Sequence, residues 1–207
     1  MPIEKRLIPS KWNVDMNHSI ITAADDRSAK LAVLFPGMNY SCERPVLHYA
    51  MKCAIRAGYD VLPLEYGYQA ARTEIQSDDD YATIVQECVR SISQVSGAYQ
   101  ELVFVGKSLG SIAAGMVSTK LELMQARHIF LTPVEGSIPY INQKQGITIY
   151  GTSDPMFSSE LAQRIHVDKH REVIAIERAN HGLEVEDPME TLDIMKQLAA
   201  LYMDFFK

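Results

Sequence analysis

Along the chain, short uninterrupted apolar runs alternate with longer segments in which apolar residues recur at helical spacing. The first pattern reads as strands buried on both faces and the second as amphipathic helices. Residues 31–35 (LAVLF) form such a strand, stopped by Pro36-Gly37. A helix over 44–57 carries Val46, Ala50, Cys53 and Ala57 on one face, and 59–64 (YDVLPL) is the next strand. The clearest helix spans 78–95. Three aspartates at its start complement the positive end of the helix dipole, and Tyr81, Ile84, Val85, Cys88, Val89, Ile92 and Val95 line up as one stripe. There follow a strand at 101–105, a helix at 109–124, and strands at 128–132, 147–151 and 172–177. The last helix has Asp187 as its N-cap, Pro188 in the first helical position and Glu190 in the third.

This alternation predicts an α/β fold: a mostly parallel central sheet flanked by helices on both faces. Residues 1–207 read as a single domain, with 1–25 as an edge-strand segment ahead of the parallel run. No repeat, linker or low-complexity tract interrupts it. Only the stretch from Pro133 to Gly146 separates two core strands where a lid could be inserted, so no extended cap domain is expected.

Composition narrows the function classes. The chain of 207 residues is 47% hydrophobic and 22% charged, which suits a self-folding globular protein and excludes a disordered one. A formal charge of -6 without any run of cations argues against nucleic-acid binding. The amino-terminal stretch MPIEKRLIPSKWNVD is too often interrupted for a signal peptide, and no apolar run is long enough for a membrane span. Three cysteines without close-spaced pairing, Cys42, Cys53 and Cys88, fit a reducing compartment, and a cytoplasmic protein is expected. Cys53 and Cys88 fall on apolar helix phases and read as small core residues.

The candidate chemistry begins at Gly106-Lys107-Ser108-Leu109-Gly110, a G-x-S-x-G sequence between a strand and a helix. A serine there sits on a strained turn that lifts its hydroxyl over the sheet edge. Gly106-Lys107-Ser108 could also end a phosphate-binding loop, but that loop needs a glycine five positions earlier, where Glu101 stands in a β run. A serine nucleophile needs a base and a carboxylate to orient the base. Asp154, in Gly151-Thr152-Ser153-Asp154-Pro155, and His181, in Asn180-His181-Gly182-Leu183, each follow a strand, so all three side chains can meet at the carboxyl edge of the sheet. The other histidines, His18, His48, His128, His166 and His170, lack that context. Glu135 is a rival acid, since it too follows a core strand. Backbone N–H groups of Leu109 and of Met38, in the Pro36-Gly37 bend, are the candidate oxyanion donors. Lys107 could attract an acidic substrate or simply face solvent.

Taken together, the strand-PG loop, the GKSLG turn, the GTSDP acid loop and the NHGL histidine loop resemble the α/β-hydrolase family in a compact, lidless version. The resemblance covers roughly residues 30–206. It departs at the oxyanion loop, where many esterases of the family carry His-Gly and this chain has Pro36-Gly37. It implies the α/β-hydrolase fold and a serine hydrolase cleaving carboxylic ester or thioester bonds of a small substrate. Ser108 would form an acyl-enzyme, His181 would shuttle the proton and Asp154 would hold His181, with no metal or organic cofactor. Gly37, Asn39, Tyr40, Tyr66 and Glu135 are expected around an open, shallow substrate pocket. The contrasting reading is a catalytically silent member of the fold that serves as a ligand-binding or interaction module.

Overall fold

The structure, a computed structural model, describes residues 2–24 and 27–207. In chain order it comprises β1 (Ile3–Glu4), β2 (Leu7–Pro9), β3 (Asp15–Asn17), β4 (Ile20–Ile21), β5 (Lys30–Phe35), α1 (Pro45–Arg56), β6 (Asp60–Pro63), α2 (Gly67–Ala70), α3 (Asp78–Ser96) and β7 (Glu101–Lys107). After these come α4 (Leu109–Lys120), β8 (Arg127–Leu131), a 3-10 turn (Glu135–Ser137), α5 (Ile138–Ile141), β9 (Gln145–Gly151), α6 (Ser159–Ala162), β10 (Arg171–Ile176) and α7 (Pro188–Phe205).

Eight strands form one sheet in the order β1-β4-β6-β5-β7-β8-β9-β10. The six strands from β6 to β10 are mutually parallel, and β4 and β1 extend the β6 edge in antiparallel fashion. The amino-terminal segment forms four short strands: β1 and β4 are its edge strands on the main sheet, while β2 and β3 pair separately. The chain leaves β5 to build β6 on one side and returns to build β7 on the other. Their carboxyl ends consequently flank a crevice where the winding direction reverses, the place where ligands meet such sheets.

Alternate strand residues feed two cores. Val103 and Val105 of β7 join a cluster with Leu47, Ala54, Leu198 and Tyr202 from α1 and α7, whereas Phe104 packs with Ile84, Ile92, Ala113 and Val117 from α3 and α4. All seven residues of the stripe predicted on α3 are at least partly buried in the second cluster. Ser77 caps α3 by accepting from the Asp80 N–H. At α7 the Asp187 carboxylate accepts from the Met189 N–H, while Glu190 pairs with Arg178 and so does not complete a capping box. Helix α4 ends at Lys120, short of the expected 124, because Glu122 adopts φ +54 and the Leu123 N–H closes back onto the Ser118 carbonyl. Between β8 and β9 the segment 132–144 holds the 3-10 turn and α5, with no cap domain.

Candidate active site

Ser108 alone makes the turn between β7 and α4, with φ +54 and ψ -117. A non-glycine residue in this region costs on the order of 1–3 kcal/mol and persists only when its surroundings impose it. Here the Ser108 N–H donates to the Leu131 carbonyl at 2.9 Å. The two glycines let the helix start hard against the sheet. A Cβ on Gly106 would lie 2.4 Å from the Gly110 carbonyl oxygen, and one on Gly110 would lie 2.3 Å from that of Phe35.

Two loops meet this serine. Asp154 follows β9, its N–H donates to the Gly151 carbonyl, and one carboxylate oxygen accepts the Met156 N–H at 2.8 Å. The other carboxylate oxygen lies 2.8 Å from His181 Nδ1. His181 follows β10 in a turn pinned by Asn180, whose side-chain oxygen accepts the N–H groups of Gly182 and Glu184. Leu183, at φ +59, is fully buried and anchors that turn in the core. On its far side, His181 Nε2 stands 2.9 Å from Ser108 Oγ. A carboxylate can only accept, so it places the proton on Nδ1 and leaves Nε2 to accept from the serine hydroxyl. Asp154 is sealed from solvent while the His181 side chain is 25% exposed, so the imidazole is reachable and the carboxylate behind it is not.

The loop after β5 is held by its carbonyls. Gly37 and Tyr40 close a turn through mutual backbone bonds at 2.9 and 3.4 Å. The Tyr66 hydroxyl donates to the Pro36 carbonyl, Gln69 Nε2 to that of Gly37 at 2.8 Å, and the Tyr68 hydroxyl to that of Met38 at 2.7 Å. In a trans peptide the carbonyl and the following N–H point in opposite directions, so fixing the Gly37 carbonyl also fixes the Met38 N–H. Among the described residues neither the Met38 nor the Leu109 N–H has an intrachain acceptor.

No protein-family model matches the sequence, and no curated protein matches it. Solved structures do. An α/β serine hydrolase homologue from Coxiella burnetii superposes with a TM-score of 0.72 at 13% identity, covering 97% of this chain and 96% of the other. A lidless α/β serine hydrolase from Xanthomonas campestris gives 0.70 at 13% identity, covering 97% and 94%. An esterase from Pyrococcus furiosus gives 0.71 at 14% identity, covering 100% and 94%. The chain has the α/β-hydrolase fold.

In this α/β-hydrolase fold Ser108 and His181 open onto a cavity of about 500 Å³, with Asp154 behind them and away from its walls. Gly37, Asn39 and Tyr40 border it, with Met38 and Leu109, Val134 from the loop after β8, Lys107, and Met156, for which the sequence offers no pocket signal. Two expected pocket residues do not reach it. Tyr66 is buried beneath the loop it supports, because its ring lies in the α3/α4 core. Glu135 turns outward and pairs with Arg164 at 2.5 Å, which removes it both from the pocket and from contention as the acid. Lys107, for which a solvent-facing side chain was one expectation, is instead only 2% exposed. It shares the phase of Val103 and Val105 and so points toward the α1/α7 side. Gln69 and Tyr68, which orient the loop carbonyls, escaped notice as loop supports. The one signal for them was their place just past the strand neighbouring β5. Cys42, Cys53 and Cys88 are all buried and free. Among the described residues no group of three or more His, Cys, Asp or Glu side chains could hold a metal ion, and no helix is long and apolar enough to cross a membrane.

Proposed function

We propose that this protein is a serine hydrolase acting on carboxylic esters or thioesters of small substrates. The observation that carries the reading is the unbroken contact from Asp154 through His181 to Ser108 at the floor of an open cavity. Ser108 Oγ attacks the carbonyl carbon as its proton passes to His181 Nε2. The N–H groups of Leu109 and Met38 receive the charge that develops on the carbonyl oxygen. Collapse of the tetrahedral intermediate breaks the bond to the leaving alkoxide or thiolate, which takes the proton from His181. Water then attacks the acyl-enzyme by the same route in reverse and releases the acid. The largely apolar rim of Met38, Leu109, Val134 and Met156 suits an apolar acyl or alcohol group. Esterases among the structural neighbours support the ester reading, and the free buried thiols support a cytoplasmic setting.

The test is labelling by a fluorophosphonate probe, with Ser108→Ala and His181→Ala as controls, followed by a chain-length series of p-nitrophenyl esters. Labelling that needs both residues is expected. A correctly folded wild type that stays unlabelled would return the protein to the silent, ligand-binding reading. That reading calls for Ser108 and His181 too far apart to bond or for an unreactive serine; the 2.9 Å contact weighs against the first, and the probe tests the second.

A further inference from the structure

Lys107 is a cation stored in the core beside the candidate nucleophile, with no carboxylate within ion-pair distance among the described residues. A buried, unpaired ammonium is costly, so its partners matter. Its Nζ donates to Thr132 Oγ1 at 3.0 Å and to the His181 backbone carbonyl at 3.0 Å, and it lies 4.6 Å from the centroid of the Tyr40 ring. Each partner belongs to a different loop. Thr132 follows β8, His181 follows β10, and Tyr40 closes the turn that carries Met38, while its own hydroxyl accepts the Val46 N–H at the start of α1.

The geometry points to Lys107 as a positioning residue for the reaction proposed above: its ammonium ties the histidine loop and the oxyanion turn to the strand that bears Ser108. The inference rests on that reading for its catalytic meaning, while the tether itself concerns only where His181 is held. With its donors directed at protein groups, Lys107 acts through His181 and Tyr40. Lys107 borders the cavity, but both of its hydrogen bonds go to protein groups.

The tether is pH-sensitive in a defined direction. Burial pushes the Lys107 ammonium down to about 8, against the opposing pull of Asp154 and Glu184, with Arg44 adding to the depression. Tyr40 and His181 complete the titratable groups that face it. Below that pH the tether is charged and intact. Above it the group loses its charge and one donor, and the loops loosen.

The experiment compares wild type with Lys107→Met and Lys107→Gln, neither of which can carry the charge, after circular dichroism has identified the folded variants. With p-nitrophenyl acetate at pH 7, kcat is expected to fall about 10–100-fold with KM changed less than about threefold, the scale of a small misplacement of reacting groups. The wild-type profile should decline above about pH 8. The variant profile should lack that limb. In parallel, histidine-labelled protein is followed by NMR, with the His181 ring signals assigned from His181→Gln. In wild type they should shift with an inflection near 8 that the Lys107 variants lack. A folded variant with kcat within twofold of wild type and the same alkaline limb would overturn the proposal, as would an unchanged His181 titration. A wild type without hydrolysis or labelling whose His181 signals still follow Lys107 would sink the hydrolase reading and uphold the tether.

Discussion

Among the described residues, two serine–histidine contacts are of almost equal length. Ser108 Oγ lies 2.9 Å from His181 Nε2, and Ser91 Oγ lies 2.8 Å from His18 Nδ1. They share little else. Ser91 sits within the regular backbone of α3, and His18 turns its other nitrogen to the Glu65 backbone carbonyl at 2.7 Å. Both side chains are completely buried. A carbonyl fixes the tautomer as well as Asp154 does, but it carries no charge to balance an imidazolium. Burial pushes His18 down to about 4, so it stays neutral and merely joins the link between β3 and β4 to α3. What separates the candidate reaction centre from the structural bond is the buried carboxylate behind the histidine, the strained serine in front and the cavity above.

The largest effect expected from this contrast is on Ser108. Ser108→Ala should lower kcat by roughly 10⁶-fold, the scale found when a triad nucleophile is lost, and abolish fluorophosphonate labelling. Ser91→Ala should leave labelling untouched. If instead Ser91→Ala removed the label, the comparison would have been drawn the wrong way round. Next comes the backing group. Asp154→Asn should cost about 10⁴-fold in kcat by favouring the wrong tautomer, whereas Glu135→Gln, on the outward-facing partner of Arg164, should stay within twofold.

Smaller effects fall on stability. His18 has a lower pKa folded, about 4, than unfolded, where its ordinary value is 6.5, so between these values the unfolded chain binds more protons. Stability contributed by its neutral form is present above pH 6.5 and is lost as pH falls toward 4, amounting to about 3 kcal/mol. Urea titrations at several pH values should show that slope and find it reduced in His18→Gln. Buried His128, pushed down to about 3, supplies a second component that this variant keeps. The smallest effect is that of Ser91→Ala itself, which removes one buried hydrogen bond and should cost about 1–2 kcal/mol at neutral pH.

Much of this contrast could be read before the fold was known. Ser108, Asp154 and His181 each follow an apolar run, and strands of that kind deliver their loops to one edge. The phase of a strand also contained the answer for Lys107. Val103, Val105 and Lys107 alternate on one face, and residue type misled where position would have served. Glu135 was on the correct edge, but its direction depends on Arg164, 29 residues later and close only in space. The amino-terminal strands are two or three residues long, too short for a period to show. The end of α4 was hidden because Leu121, Leu123 and Met124 continue an apolar pattern past the left-handed Glu122.

The clamp on the loop after β5 has a bearing on how this cavity could be reshaped. Tyr66, Tyr68 and Gln69 grip backbone oxygens, and the Met38 side chain, 49% exposed, takes no part in that grip. Positions 38 and 39 thus form a wall whose chemistry can be exchanged while the frame behind it stands still. A library confined to those two positions would sample new acyl preferences on a scaffold whose hydrogen-bond donors are already set.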